Sequence, residues 1–176
     1  VLGAGLLLLP FASKGEAAKP LDALFTATSA TCVTGLIVRD TFTGWTVFGQ
    51  LVILALIQLG GLGLMTVITL VSFAAGKRLS LYDRKVLMQS AGNTTLSGVG
   101  GLIRRIVPFT FVLELTGAAL LATRFVPALG WGRGLYASVF HAISAFCNAG
   151  FDLMGMREPF SSMTAFVADP VVNLTL

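Results

Sequence analysis

Charge is scarce in this sequence. Of 176 residues, 12 are Lys or Arg and 8 are Asp or Glu, 11% in all, against 55% hydrophobic. A soluble domain carries about 25% charged residues, and so few charges cannot cover a water-facing surface. With a mean hydropathy of +0.87, the shortage excludes an ordinary soluble domain and points to a membrane protein. Metal-binding side chains are equally few, with one His and two Cys. Cys32 and Cys147 lack CxxC spacing, so neither zinc nor a redox motif is indicated. Both read as small buried residues, and a disulfide between them has no support in the pattern. No nucleophile stands near a base, so the chain reads as no enzyme, without a tightly bound cofactor. Gly76-Lys77 lacks the upstream glycine of a phosphate loop. The net charge of +4 comes without a basic patch interleaved with aromatics, which excludes nucleic acid as a partner.

What is present is a series of apolar runs of unequal length. Residues 1–10 read as the tail of an apolar helix and 11–20 as a polar loop. Residues 1–10 have no basic flank, so they do not read as a signal peptide. Residues 21–31 have a helical pattern, but span only ~16 Å at 1.5 Å per residue. A membrane span needs about 20 residues. Residues 45–75 form a long apolar segment, ~46 Å if wholly helical. Its Gly60-Gly61-Leu62-Gly63 reads as close helix packing through small residues rather than a hinge. Residues 76–105 are polar and basic, and 106–126 are a second spanning candidate. Residues 135–146 are again a short helix. Residues 163–176 begin another apolar segment, interrupted by Asp169-Pro170. The chain begins and stops within apolar runs, which reads as a piece of a longer protein.

The short helices repeat. At an offset of 115 residues, 21–35 fall on 136–150 without a gap. Phe25/Phe140, Ala27/Ala142, Ser29/Ser144, Ala30/Ala145, Cys32/Cys147 and Gly35/Gly150 are identical. The shared pattern is F-x-A-x-S-A-x-C-x-x-G. Each unit then reads as spanning helix, short helix, turn, spanning helix. Irregular backbone at membrane depth is tolerated only when buried in protein or lining a watery path, which is the architecture of a pore loop. A helix entering part way carries partial negative charge at its C-terminal end, and the turn beyond it aims carbonyls at a passing cation. Glycine permits the backbone angles such a turn needs. Pro20 and Asp22 suit the start of the first short helix.

Charge sets the orientation. Residues 76–105 hold Lys77, Arg78, Arg84, Lys85, Arg104 and Arg105, whereas residues 11–44 hold only Lys14, Lys19 and Arg39. The positive-inside rule puts 76–105 in the cytoplasm, so both loops enter from outside. The domain reading is therefore 1–75 as a first repeat, 76–105 as a basic cytoplasmic linker and 106–176 as a second repeat.

The stretches DALFTATSATCVTGL, GQLVILALIQLGGLG, FHAISAFCNAGFDL and DPVVNL closely resemble the Trk/Ktr/HKT superfamily of cation transporters, and most of all its bacterial Ktr-type potassium-translocating subunits. The resemblance implies an all-α integral membrane fold, potassium-channel-like, with four helix–pore-loop–helix repeats around a central ion pore, of which this chain would hold about the first two. It places a selectivity filter at Cys32, Val33, Thr34 and Gly35 and at Cys147, Asn148, Ala149 and Gly150, where backbone carbonyls would bind potassium. It also implies one glycine per loop. In plant relatives a serine at the first-loop glycine position goes with sodium transport, so Gly35 leans toward potassium, with sodium or mixed transport as the alternative. Further implied are a multi-pass place in the bacterial plasma membrane among its lipids, a homodimer, and a cytoplasmic nucleotide-binding regulatory subunit. Gate residues of the family's third and fourth repeats fall outside the sequence.

Glu114 lies within the second span, where acids are costly and face the bundle interior. It reads as a hydrogen-bond anchor behind a pore loop rather than a charge on the ion path. His141 reads as a satisfied packing histidine. Asn148, at the place of Val33, could add a side-chain contact near the path. A small-solute carrier with re-entrant loops is the competing class, but such carriers often use inverted repeats, and these two run in the same orientation. A non-transporting scaffold would leave the repeated loop unexplained.

Overall fold

The computed structural model describes residues 1–63 and 98–176, with 98–105 as backbone only. The reading of 76–105 as a basic linker therefore lies, up to residue 97, outside the described residues, as does the end of the 45–75 segment. Two compact units divide the chain: Val1–Gly61 with Glu114–Leu176, and Leu62–Leu113. Of the second, the described part is residues 62–63 and the leading half of one helix. Both short helices and the turns after them lie in the first unit.

The described residues are helical, and their one β-bridge is the isolated pair Ser13 and Trp45. The order is α1 (Leu2–Leu7), α2 (Pro20–Thr31), α3 (Thr41–Gly44), α4 (Val47–Gly61), α5 (Gly98–Leu129), α6 (Trp131–Phe146), 3-10 turns at Met154–Met156 and Ser162–Phe166, and α7 (Pro170–Thr175). Pro20 sits in the first turn of α2, where its missing N–H would have no helical partner anyway. Asp169 caps α7 by accepting from Val171 and Val172 N–H. Asp169-Pro170 is thus a helix start, an N-cap followed by Pro at N1, rather than an interruption. The carboxylate also meets Arg124 at 3.4 Å.

Three helices differ in extent from the sequence reading. The helix at 47 ends at Gly61, about 22 Å long at 1.5 Å per residue. Gly63 follows with φ +79°. α5 is longer at both ends than residues 106–126, and its stretch Ile106–Leu129 is long and apolar enough to cross a membrane. α6 begins at Trp131, immediately after Gly130, whose φ of +83° breaks the chain between the two helices.

α2 is wedged between α1 and α4. Its buried face is Ala23, Thr26, Ala27, Ser29 and Ala30. Every one is small, and small faces bring helix backbones close where burial in lipid offers no hydrophobic drive. Around them Leu7, Trp45, Ile53, Ile57 and Phe140 form the core, with no exposed surface. Buried Gln50 ties α4 to α6: its amide N–H donates to Trp45 O at 2.9 Å and its oxygen accepts from Tyr136 Oη at 3.0 Å. A second cluster joins Leu121 and Phe125 of α5 to Ala137, Met154, Phe166 and Val172.

Candidate functional site

The site is built from the two turns in which α2 and α6 end. After α2, Cys32 N–H donates to Thr28 O, Val33 N–H to Ala30 O and Thr34 N–H to Ser29 O, at 2.8, 3.4 and 3.0 Å. After α6, Cys147 N–H donates to Ile143 O, Asn148 N–H to Ala145 O and Ala149 N–H to Ser144 O, at 3.0, 2.8 and 2.7 Å. Every donor and acceptor is displaced by the same 115 positions that relate the sequences. The last two bonds of each set are the pair that closes a Schellman motif. That motif requires a left-handed residue, and Val33 (φ +57°) and Asn148 (φ +56°) occupy the position. Two residues later Gly35 and Gly150 are left-handed again, at φ +73° and +70°.

Asn tolerates the left-handed region, whereas a β-branched residue there is an outlier. Val33 is therefore held by its surroundings. Its Cγ2 atom lies 3.0 Å from where a Cβ on Gly60 would stand, and that Cβ would also overlap Thr31 O. The next glycine serves the other turn, since a Cβ on Gly61 would overlap Cys147 Sγ. Gly60 and Gly61 thus let the end of α4 lie against both turns, which is the packing role read from the sequence.

The two turns meet at their glycines. A Cβ on Gly35 would stand 2.8 Å from Ala149 O and 3.3 Å from Gly150 Cα, and one on Gly150 would stand 3.3 Å from Gly35 Cα. All eight residues expected in the filter therefore fall in two matched turns, and the turns touch. Their side chains sit differently: Cys32, Thr34 and Asn148 are exposed, Val33 is half-buried, and Cys147 and Ala149 are buried. Both cysteines are free thiols. No group of three metal-binding side chains occurs among the described residues.

Distinct polar groups brace each turn. Thr34 Oγ1 donates to Ser29 Oγ at 2.9 Å in the first. In the second, Ser144 Oγ donates to Phe151 O at 2.6 Å. His141 is saturated: Leu153 N–H donates to Nε2 at 3.2 Å, so Nδ1 carries the proton given to Ala137 O at 2.7 Å. It is the packing histidine expected, and it clasps the segment beyond the second turn. Glu114 accepts from Gln58 Nε2 at 2.7 Å, and Gln58 Oε1 accepts from Cys147 Sγ at 3.8 Å.

Asp40 joins the segments beyond both turns. Its carboxylate accepts from Thr43 N–H, Thr43 Oγ1 and Phe160 N–H at 2.7, 2.9 and 3.0 Å, and Gly155 lies directly against it. Burial pushes its pKa up, but hydrogen bonds from Thr43, Phe160 and Phe42 outweigh this and hold it below the ordinary value. Asp152 moves the other way, raised by burial and by the charge of Asp40. Sequence reading missed Gln58 and Asp40. A Gln near the end of an apolar helix and Asp three residues before Thr43 were the available signals.

A sequence profile of the TrkH family, described as a cation transport protein, matches residues 4–176. The chain belongs to the TrkH family. That family is one of membrane cation transporters and not an enzyme class. It is 47% identical to the Ktr system potassium uptake protein B of Bacillus subtilis over 179 residues, covering 100% of this chain and 38% of that protein. It is 46% identical to the potassium/sodium uptake protein NtpJ of Enterococcus hirae, covering 88% of this chain and 35% of that protein. The Ktr system potassium uptake protein B of Vibrio alginolyticus is 43% identical, with 88% of this chain and 33% of that protein covered. The chain thus spans 33–38% of the length of these relatives.

Proposed function

We propose that this chain supplies two of the repeated pore-loop units of a potassium-translocating membrane subunit. The observation that carries the proposal is the contact of two turns with one backbone geometry at Gly35 and Gly150. A cation entering a narrow path must exchange its hydration shell for fixed oxygens. Here those oxygens are the backbone carbonyls of Cys32, Val33, Thr34, Gly35, Cys147, Asn148, Ala149 and Gly150. The left-handed glycines set where the carbonyls lie, and the C-terminal ends of α2 and α6 add partial negative charge. Side chains take no direct part, which accounts for one backbone being kept with different side chains upon it.

On this reading residues 1–75 and 106–176 are successive repeats, 76–105 is a cytoplasmic basic linker, and the protein is multi-pass in the plasma membrane. The complete protein forms a homodimer, is solvated by lipid, and works with a cytoplasmic nucleotide-binding regulatory subunit. The relatives named as parts of a Ktr system support a multi-component assembly. Potassium is the transported ion. Sodium or mixed transport is the second reading, favoured by the E. hirae relative named for both ions.

The test is rubidium uptake by bacteria that lack their own potassium uptake and carry the full-length protein. Replacing Gly35 and Gly150 together by Leu should abolish uptake at unchanged membrane abundance. Normal uptake by that variant would overturn the proposal.

A further inference from the structure

We infer that Glu114, acting through Gln58, positions the second turn and is thereby a determinant of cation discrimination. The inference rests on the permeation reading above. Its starting point is an asymmetry. In the first turn Thr34 reaches back to Ser29 through its own hydroxyl. The matching residue of the second turn is Ala149, which has no such group. Ser144, the counterpart of Ser29, is committed to Phe151 O. The second turn therefore lacks the bond that Thr34 makes in the first; Ser144 braces it beyond Gly150, and Cys147 tethers it at its start.

The chemistry of the chain of contacts runs one way. A carboxylate oxygen facing an amide accepts from the amide NH2. Glu114 Oε1, 2.7 Å from Gln58 Nε2, fixes that end of the amide and leaves Gln58 Oε1 toward Cys147 Sγ. The thiol is then the donor, weak in itself but oriented. Gly61 removes the Cβ that would displace the sulfur. An acid inside a spanning helix is costly without a partner, and Glu114 is 5% exposed. Its partner here is the Gln58 amide, which it orients. Cys147 stands three residues before Gly150, so a turn loosened at the thiol moves the carbonyls beyond it.

The experiment measures rubidium uptake against sodium competition in the full-length protein, normalised to membrane abundance. Glu114→Leu and Gln58→Leu should each lower rubidium preference by roughly fivefold, the equivalent of one hydrogen bond of about 1 kcal/mol. Cys147→Ala should do the same, and Glu114→Leu added to it should change nothing further, because the two act through one contact. Glu114→Gln still offers an oxygen acceptor and should stay within about twofold of the parent. If Glu114→Leu does not accumulate, Gln58→Met carries the test, since it removes the amide at similar volume. Peptide mapping after treatment with a methanethiosulfonate should show Cys147 protected in the parent and labelled in the Gln58 variants. Unchanged discrimination, additive effects of Glu114→Leu and Cys147→Ala, or unchanged protection would each overturn the inference. Normal uptake with Gly35 and Gly150 both replaced would instead remove the permeation reading beneath it.

Discussion

Replacing Gly35 by Ala should damage transport far more than the same change at Gly150, although the two glycines are sequence counterparts. Both backbones are left-handed, so each alanine bears a conformational penalty of roughly 1–2 kcal/mol. The difference lies in what the new methyl meets. At Gly35 it stands 2.8 Å from Ala149 O, about 0.6 Å inside the start of ordinary contact, and the obstacle is backbone of the other turn. At Gly150 the nearest atom is Gly35 Cα at 3.3 Å, a mild crowding. Overpacking of the first kind costs about 1–3 kcal/mol, so Gly35→Ala should lose roughly five- to a hundredfold more activity. The displaced atom is a proposed ion ligand, so sodium competition should rise with the loss of rubidium uptake. The assay is rubidium uptake by full-length variants in a potassium-uptake-deficient bacterium, with membrane abundance matched. Equal defects, or a worse defect at Gly150, would refute the claim that the turns touch through Gly35.

Gly61→Ala should be severe, because its methyl overlaps Cys147 Sγ, whereas Gly5→Ala, with nothing within 4 Å, should leave uptake and thermal midpoint unchanged. Asp40→Asn sets an NH2 group against N–H donors and should lower stability by about 1–3 kcal/mol, read as the thermal midpoint of the purified full-length protein at pH 7. In the parent, the folded pKa of Asp40 is lowered, so its contribution is present above the ordinary carboxyl value near pH 4. It is lost as pH falls through the lowered value, and Asp40→Asn should flatten that acid limb. His141→Phe leaves the buried N–H of Leu153 without its acceptor and should lower stability by about 1–3 kcal/mol. A midpoint equal to the parent's would show that the imidazole clasp contributes nothing.

The turns were legible in the sequence because they are local. A pattern ending in Cys-x-x-Gly at two places 115 residues apart reports a helix end whose bonds reach back only three to five residues. Local chemistry of that kind repeats when its residues repeat. The start of α6 was less legible, since it depends on Gly130 breaking the chain and not on any change in apolar pattern. Glu114 and His141 were readable as an anchor and a packing residue, but the partners of the braces were not. Gln58 and Glu114 are 56 residues apart, and Asp40 and Phe160 are 120 apart. Neither pair shares a period or a motif, and only the packing of α4, α5 and the segments beyond the turns brings them together. Gly60 and Gly61 were readable as packing residues, but not that adjacent glycines serve different turns.

The difference between Val33 and Asn148 bears on where specificity resides. Both adopt a left-handed φ, equal within 1°, although Asn accepts that conformation readily and Val does not. A surrounding structure that holds valine there is enforcing backbone shape over side-chain preference, and strain of this kind persists only where the surroundings over-determine it. The enforcement comes from Gly60 behind Val33 and from the three hydrogen bonds of the turn. Side-chain identity then differs between the turns while the left-handed φ angles and the turn hydrogen bonds do not. A site that reads its ligand through carbonyls needs that division. Substitutions at exposed Thr34 or Asn148 that keep the backbone should therefore matter less than a single methyl on Gly35, whose side chain is absent altogether.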